Sequence, residues 1–353
     1  MRNRKFTLIK LRNFKGGLHL AKGDKNSYSE SQKVLHSDTL KSALFVCCLQ
    51  LYGEEIANKF FLEGFKISSA FPFINNGQRD YFFFPKPNTR LKLRVVDDKG
   101  NEDKGAHKIL KKLNFLEKDL FEKVIHQKEI ELINDVNVKG GYASLSESVG
   151  ELNVFKNQTY QHVAISRLGE KDSDTYYVDK RYFHQNAGLF FLMECNDSKL
   201  KSKVISSLKL LADSGIGTDR NNGNGFFEFE GNVDVDLIED FEIKVPEEHS
   251  HDMCLSLYLP KDQNELGDLG KAQYDLIKRG GYIANPSNTK HLTLRKRSVF
   301  MFKEGSLFQT IENRNGDIAN LQPSKEGLER ADIEEILHPI YRDGRAIVIP
   351  CKI

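Results

Sequence analysis

Residues 215–225 have the composition of a loop that could bind an anion. They read Gly-Ile-Gly-Thr-Asp-Arg-Asn-Asn-Gly-Asn-Gly, so that Arg220 stands among Gly215, Gly217, Gly223 and Gly225. Glycine lets backbone N–H groups come close to a phosphate, and the arginine supplies positive charge. The segment is thus a candidate for contact with a polyanion such as RNA. On composition alone, a flexible turn is the favoured alternative.

Two common nucleotide-binding motifs do not fit this segment. A dinucleotide fingerprint needs a strand before it, a helix after it and glycine at its sixth position, where this chain has Arg220. A P-loop needs a lysine, and residues 215–225 contain none. The pattern excludes both motifs, and we expect no nucleotide or other cofactor.

The consecutive residues His36, Ser37 and Asp38 form a second candidate group. Three neighbouring side chains cannot line up as nucleophile, base and orienting carboxylate, so a catalytic triad is excluded. Ser37 or Asp38 can instead cap a helix, whose N-terminal N–H groups attract phosphate. We expect His36 and Ser37 to contact RNA, whereas Asp38 orders the loop. The alternative is that Asp38 only caps the helix and His36 is an ordinary loop residue.

Charge is divided unevenly along the chain of 353 residues. Residues 1–150 have 26 Lys and Arg against 18 Asp and Glu, whereas residues 151–353 have 26 against 32. The halves thus differ in sign, +8 against −6, although the whole chain has a net charge of only +2. This asymmetry suggests a first half that faces a polyanion and a second half that faces something else, such as a protein partner. On charge alone, an ordinary solvated surface is the favoured alternative.

Four further cations are candidate phosphate contacts. They are Lys10 and Arg12 at the first strand, Lys86 between two prolines, and Arg167. Lysine and arginine make most phosphate contacts, but each of these residues is individually nonspecific.

Several protein classes are excluded by composition. The five cysteines are odd in number and form no C-x-x-C pair, so a disulfide scaffold and a cysteine zinc site are not expected. The histidines suggest no metal site, and no apolar run approaches the roughly 20 residues that span a bilayer. The N-terminus lacks the apolar region of a signal peptide. A cytoplasmic protein without a membrane segment is expected.

The order of predicted elements indicates an α+β fold. A strand, a helix and a hairpin come first, followed by a charged insertion over residues 88–160 and then strand, helix and strand. This βαββαβ order is typical of the ferredoxin-like or RRM-like plan. The expected domains are residues 1–231, which include the insertion and the glycine-rich loop, and a second domain over residues 232–353.

Several motifs resemble one family. Residues 215–225 resemble the glycine-rich loop of RAMP proteins, the ferredoxin-fold RNA-binding family of CRISPR systems. Residues 35–44, Leu-His-Ser-Asp-Thr-Leu-Lys-Ser-Ala-Leu, look like the signature of subunit 4 of the type III-A (Csm) effector complex, a Cas5-like RAMP. Further agreements follow in family order. They are Phe71-Pro72-Phe73, Phe84-Pro85-Lys86-Pro87, His162 to Arg167 before Tyr176-Tyr177-Val178, and His338-Pro339-Ile340-Tyr341-Arg342 with Gly344-Arg345-Ala346.

The resemblance implies two ferredoxin-like RAMP domains and a noncatalytic role. Such a subunit holds the repeat-derived 5′ handle of the CRISPR RNA and joins the large polymerase-like subunit to the backbone RAMP. An inserted hairpin, the thumb, is expected somewhere in residues 88–160.

Two rival functions stay open. A Cas6-type CRISPR RNA-processing endoribonuclease would use His36 as general acid or base, but its glycine-rich loop lies close to the C-terminus, whereas 128 residues follow Gly225 here. A backbone RAMP that cleaves target RNA would need an aspartate after the first strand, where Asp24 stands.

Overall fold

The structure, a computed structural model, describes residues 2–21, 28–97, 99–146, 153–164, 174–233, 235–283, 295–323 and 339–352. Helices and strands are mixed along the chain, so the expected α+β class is confirmed. All five cysteines have free thiols, as their spacing predicts. In the described ranges no helix is long and apolar enough to cross a membrane.

Residues 2–245 contain a large sheet with helices and an insertion. The helices are α1 (Ser37–Tyr52), α2 (Glu54–Glu63), α3 (Ala106–Lys112), α4 (Lys118–Ile125) and α5 (Ser198–Ser214). The strands are β1 (Arg2–Lys15), β2 (Lys66–Ile67), β3 (Phe71–Asn75), β4 (Asp80–Pro85), β5 (Leu93–Val96), β6 (Phe115–Glu117), β7 (Ile130–Ile133), β8 (Val138–Lys139), β9 (Tyr142–Ala143), β10 (Phe155–Ala164), β11 (Asp174–Phe183), β12 (Ala187–Glu194), β13 (Phe226–Glu228) and β14 (Leu237–Val245).

The central strands of the sheet are antiparallel neighbours in the order β13-β1-β12-β3-β4. The sheet continues from β4 through β6 and β9 to β8. On the other side, β14 and β13 pair with successive parts of the same edge of β1. Except for the hairpin of β3 and β4, neighbouring strands in this central part are far apart in sequence, and β12 lies between β1 and that hairpin.

Both faces of this sheet are buried. Along β1, Ile9 and Leu11 pack with α1 and α5, whereas Phe6 and Leu8 belong to a second core that includes α4 and the C-terminal strands. Side chains alternate between the two faces of a strand, so a strand covered on both sides must be apolar throughout. This explains the unbroken apolar run Gly188–Met193 of β12.

The helix that precedes the glycine-rich loop has clear sequence causes. Asp197 caps α5, because its carboxylate accepts hydrogen bonds from the N–H groups of Lys199 (2.8 Å) and Leu200 (3.3 Å). Val204, Leu208 and Leu211 recur at helical spacing and are buried on the side that packs against α1. The helix ends at Gly215, the first glycine of the loop.

The insertion is more regular than its sequence indicates. It contains α3 and α4, separated by β6, and β5 pairs in parallel with β7. Its most extended part is the hairpin of β10 and β11, which pair over ten residues each and form a sheet of their own. This hairpin reaches Phe183, well past the expected end of the insertion at residue 160.

The C-terminal part is built mainly from short strands. They are β15 (His251–Cys254), β16 (Leu276–Arg279), β17 (Val299–Phe302), β18 (Leu307–Gln309), β19 (Ile318–Asn320), β20 (Tyr341–Asp343) and β21 (Val348–Cys351). Among the described residues after 246, the helical segments are α6 (Gln263–Leu266) and a 3-10 turn at Leu269–Lys271.

The expected domain boundary at residue 231 cuts through the first sheet. The strand β14 follows that point and pairs with β1 from Arg2 to Ile9, so residues 237–245 are part of the N-terminal sheet. Backbone pairing decides this placement. The acidic residues Glu239 and Asp240 lie where the register between β14 and β1 shifts, and the pairing continues on both sides of that point.

Candidate nucleic-acid interface

Two glycine-containing loops pack backbone against backbone at one end of the sheet. The N–H of Gly225 donates to the carbonyl of Gly17 (2.9 Å), and the N–H of Thr218 donates to the carbonyl of His19 (3.0 Å). A Cβ on Gly225 would lie 1.9 Å from the carbonyl oxygen of Ile216, so no larger residue fits there without movement of the backbone. Close packing therefore accounts for part of the glycine pattern.

The middle of the glycine-rich segment is exposed. A 3-10 turn over Arg220–Asn222 is flanked by Asp219 (φ 56°) and Gly223 (φ 77°), both in the left-handed region. Nothing lies within 4 Å of the position that a Cβ on Gly223 would occupy, and Arg220 is exposed. The segment thus combines buried packing glycines with an open turn that carries one cation.

Asn224 stabilises this turn. Its side chain is buried, and its Nδ2 donates to the carbonyl of Asp219 (3.1 Å). Its Oδ1 accepts a hydrogen bond from Lys180 Nζ (3.1 Å), which lies on the hairpin strand β11. The asparagine therefore connects the glycine-rich loop to the hairpin, a contact that an apolar side chain could not make.

The hairpin is attached to the same loops through its base. The backbone N–H and carbonyl of Arg181 exchange hydrogen bonds with those of Leu18 (2.9 and 2.8 Å). His19 adds a side-chain contact, since its Nδ1 lies 2.6 Å from the carbonyl oxygen of Asp179. The loop after β1 thus holds the hairpin beside the glycine-rich turn.

One face of the hairpin, here called the hairpin face, is basic and aromatic. Strand alternation places on it Lys156, Tyr160, His162, Tyr176, Lys180 and Tyr182. The rings of Tyr160 and Tyr182 lie 6.2 Å apart, and Lys180 Nζ lies 5.5 Å from the ring of Tyr160. A Cβ on Gly17 would come within 3.0 Å of the Tyr182 ring, so this face is turned toward the glycine loops. Cations interleaved with aromatic rings are typical of surfaces that bind single-stranded nucleic acid.

The cations predicted on β1 lie in ion pairs within the protein. Lys10 is buried, and its Nζ lies 3.0 Å from Asp80 Oδ2. Arg12 Nε lies 2.6 Å from Asp236 Oδ1, and this hydrogen bond raises the pKa of Arg12 above its usual value. A carboxylate already neutralises each cation, so the structure places neither as an unpaired charge on the surface.

The other two predicted cations have different outcomes. Lys86 is half-buried, its Nζ donates to the carbonyl of Leu110 (3.1 Å), and burial lowers its pKa. Arg167 lies outside the described residues.

His36 and Ser37 lie inside the protein, which corrects the expectation that they face RNA. The His36 side chain is 6% exposed, and its Nδ1 lies 2.8 Å from Glu304 Oε1 in the C-terminal part. Ser37 Oγ accepts a hydrogen bond from the N–H of Leu257 (3.0 Å). No face of the His36 ring is left open for a base to stack on. His36 is the N-cap residue of α1, and neither Ser37 nor Asp38 caps the helix as predicted.

Asp38 is fully buried and binds two arginines. Arg279 Nε donates to its Oδ2 (2.8 Å) and Arg279 Nη2 to its Oδ1 (3.1 Å), while Arg342 Nη1 donates to its backbone carbonyl (3.2 Å). Burial alone would raise the pKa of this carboxyl, but the two guanidiniums outweigh burial and hold the pKa well below its usual range.

A second buried ion pair lies one turn further along α1. Lys41 bonds to the Asp343 carboxylate, which also accepts a hydrogen bond from Arg345 Nη2 (2.8 Å). Burial lowers the pKa of Lys41 to about 8 despite this partner. The motifs at residues 35–44 and 338–346, which the sequence places at opposite ends of the chain, therefore meet along α1. In the sequence, the only sign that these two motifs belong together was that both match the same family.

No metal site accompanies either cluster. Over the described ranges, no group of three or more His, Cys, Asp and Glu side chains is arranged to hold a metal ion.

Comparison with known proteins gives one consistent result. The family profile described as the CRISPR Csm4 C-terminal domain matches residues 247–351. The CRISPR system Cms protein Csm4 of Methanocaldococcus jannaschii is 26% identical over 362 residues, 92% of each chain. The protein of that name from Mycobacterium tuberculosis strain H37Rv is 27% identical over 274 residues, 77% of this chain and 79% of the relative.

Solved structures agree with this result at the level of the fold. The Csm3-Csm4 subcomplex of the type III-A CRISPR-Cas interference complex matches with a TM-score of 0.60 and 18% identity, covering 99% of this chain and 100% of that one. The Csm1-Csm4 cassette in complex with cA4 matches with the same score and identity over 99% of each chain. The resemblance to subunit 4 of the Csm complex, first seen in the ordered motifs, is confirmed.

The buried carboxylate of Asp38 gives a first prediction. Asp38→Asn leaves two guanidiniums buried without their counter-charge, and we expect the free energy of unfolding to fall by about 3–5 kcal/mol at pH 7. Asp275→Asn is the matched control. Because Asp275 is exposed, its substitution should change the free energy of unfolding by no more than about 0.5 kcal/mol. Urea unfolding followed by circular dichroism measures both.

The same variant has an expected pH dependence. The pKa of Asp38 is lower in the folded than in the unfolded state, so its stabilisation is present above an unfolded pKa of about 4 and is lost as the pH falls through the folded value. The stability difference between wild type and Asp38→Asn should therefore narrow below about pH 4. A difference that is independent of pH would contradict the ion-pair explanation.

The two kinds of glycine in the loop give a second prediction. Gly225 (φ 74°) and Gly223 (φ 77°) share the left-handed conformation, which costs alanine about 1–2 kcal/mol at either position. Only Gly225→Ala places a Cβ against backbone, so it should destabilise the fold by about 1–3 kcal/mol more than Gly223→Ala. Thermal unfolding of the two variants tests this difference, and equal effects would show that the close packing is unimportant.

Proposed function

We propose that this protein is a noncatalytic CRISPR RNA-binding subunit of the Csm4 type, which holds the repeat-derived 5′ handle in a type III-A effector complex. One observation carries the proposal: the exposed turn with Arg220 lies beside the basic and aromatic hairpin face, joined to it by Asn224 and Lys180. The resemblance to Csm4 along nearly the whole chain supports the same function.

The architecture supports a RAMP domain. In chain order, β1, α1, β3, β12, α5 and β13 form a βαββαβ unit, and the strand order β13-β1-β12-β3 is the one that a ferredoxin-like sheet adopts. We infer that residues 2–245 form this RAMP domain. The remainder of the chain, which the family profile matches, is a second RAMP-related domain without long helices among its described residues.

The glycine-rich turn is the proposed phosphate contact. Arg220 is exposed at its start, and Gly223 leaves the backbone open to a close approach by the ligand. Charge-assisted hydrogen bonds from a guanidinium to a phosphate are stronger than neutral ones, and backbone N–H groups add donors without side-chain entropy. Gly215, Gly217 and Gly225 hold the turn in place from the inside.

The hairpin is the proposed thumb. The resemblance implies an inserted hairpin that reaches the RNA, and the hairpin of β10 and β11 is the longest one among the described residues of the insertion and its flank. It begins at Phe155 and ends at Phe183, so the thumb would lie mostly beyond residue 160, the expected end of the insertion.

The proposed partners follow from the related complexes. Csm4 is found with Csm3 in one solved structure and with Csm1 in another. We propose that this chain likewise joins the backbone RAMP subunit to the large polymerase-like subunit in the cytoplasm. The net negative charge of residues 151–353 favours a protein partner over a second RNA surface for that half.

Loss of the exposed cation gives a third prediction. Arg220→Ala removes one charge-assisted contact, worth about 1.5–3 kcal/mol, so the affinity for handle RNA should fall by roughly 10- to 100-fold. Arg94→Ala is the matched control, because Arg94 is an exposed arginine on β5 that pairs with Glu131. Filter binding at several salt concentrations measures both, and an affinity equal to that of the control would remove the turn from the RNA site.

The absence of catalysis is a fourth prediction. Purified wild-type protein, incubated with labelled repeat RNA with and without divalent metal, should yield no discrete products. A nuclease that uses His36 as general acid or base would instead cleave, and His36→Ala would slow it by roughly 10²–10⁴-fold. Because His36 faces Glu304, we expect His36→Ala to lower thermal stability. Discrete products that depend on His36 would favour the Cas6-type function.

A further inference from the structure

We propose that Tyr176, with His162 and Tyr28 on either side, is a stacking platform for unpaired bases of the RNA. This inference rests on the proposed function and assigns one part of the RNA to the hairpin face. The glycine-rich turn would contact phosphate, whereas the platform would contact base faces. The ligand is therefore a single strand, because the faces of paired bases are covered by their neighbours in a duplex.

Four aromatic rings form a row from the loops onto the hairpin. The His19 and Tyr28 rings are stacked at 6.0 Å, and the Tyr28 and Tyr176 rings lie 5.8 Å apart with a tilt of 59°. The His162 and Tyr176 rings follow at 5.4 Å with a tilt of 21°. The row thus begins at the buried loop beside the glycine-rich segment and continues outward along the hairpin face.

The two middle rings of this row are exposed. Tyr28 is 43% exposed and Tyr176 is 40% exposed, and neither belongs to an apolar core of the protein. Burial of a large aromatic ring is the usual source of its stabilising effect, so these two rings contribute little to the fold. Their position suits contact with a ligand that has flat apolar faces.

The charge around the row matches a nucleic acid. On the hairpin face, residues 156–162 and 176–182 provide Lys156 and Lys180, whereas Asp179 lies on the opposite face. Asp219 of the glycine-rich segment is the acidic side chain that acts on Tyr28, at the inner end of the platform. A strand whose bases stack on Tyr176 would thus have cations close to its phosphates. Stacking on a ring tolerates any base, so the platform would hold the strand in register without selecting its sequence.

The test compares two neighbouring tyrosines of β11 in the full-length protein. Tyr177 is 52% exposed but points to the opposite face, which makes Tyr177→Leu the matched control for Tyr176→Leu. Stacking on one ring is worth enough that Tyr176→Leu should weaken binding of a single-stranded handle RNA by about 5- to 100-fold. Tyr177→Leu and the ring-retaining variant Tyr176→Phe should stay near wild type.

A spectroscopic readout separates stacking from general loss of structure. In RNAs with 2-aminopurine placed at successive positions, wild type should quench fluorescence at the stacked position, and only Tyr176→Leu should abolish this quenching. RNAs with A, C, G or U at that position should bind with similar affinity. Thermal unfolding of each variant identifies a misfolded protein. If Tyr176→Leu is misfolded, Tyr176→Thr, which also lacks the ring and suits a strand, replaces it in both assays.

Three outcomes would overturn the inference. If wild type binds RNA and the two leucine variants behave alike, the platform is wrong while the proposed function stands. If wild type binds no handle RNA, both fail. If Tyr176→Leu leaves RNA binding and quenching intact but abolishes association with purified backbone RAMP or large subunit, the row is a protein contact.

Discussion

The buried carboxylate of Asp38 is the interaction on which the arrangement of the two parts of the chain depends. It lies in the first turn of α1 and binds Arg279 and Arg342, both from the C-terminal part. An isolated buried carboxylate would be costly, so the helix can take this position only when the C-terminal strands bring both guanidiniums to it. The same helix holds a second buried pair, Lys41 with Asp343, which also needs a partner from the C-terminal part. His36, the N-cap residue of the helix, contacts Glu304 of that part. The ion pairs thus specify one docking of the two parts, whatever their net contribution to stability.

This docking helps to position the surface that is proposed to bind RNA. Helix α1 packs against α5, and α5 ends at Gly215, where the glycine-rich segment begins. That segment packs in turn against the loop after β1, which holds the base of the hairpin through Leu18 and His19. Side-chain packing of α1 on α5, followed by backbone contacts between the loops, thus connects α1 to the turn with Arg220 and to the hairpin face. The surface proposed to bind RNA and the signature motif around His36 are separate places connected by rigid elements.

The residues of the interface divide into two roles that composition does not distinguish. Of the glycines, Gly225 is required by close packing, whereas Gly223 leaves an open turn. Of the cations, Lys10 neutralises a carboxylate within the protein, whereas Arg220 is exposed. The same residue types thus serve the fold at some positions and remain available to a ligand at others. The burial and the hydrogen-bond or ion-pair partners of each side chain distinguish these two roles, and only the folded chain defines them.

Local sequence was sufficient for much of the fold. The first strand, the helix near Ser37 and the hairpin around Asn76 follow from periodicity and turn residues, and the helix after Asp197 also follows from its cap. These features depend on neighbours within a few residues, so the sequence carries them directly. The ordered motifs likewise established the resemblance to subunit 4.

Only the tertiary structure decided which of the candidate RNA-binding residues face outward. The partners of Asp38 and His36 are 241 and 268 residues away along the chain, and no periodicity links such positions. The hairpin face was missed because its alternation of aromatic and basic residues is split between two strands that join only when β10 and β11 pair. The sequence thus determined which elements form and to which family they are similar. Long-range pairing decided the buried ion pairs and the exposed surface, because burial and charge neutralisation depend on residues that local sequence does not bring together.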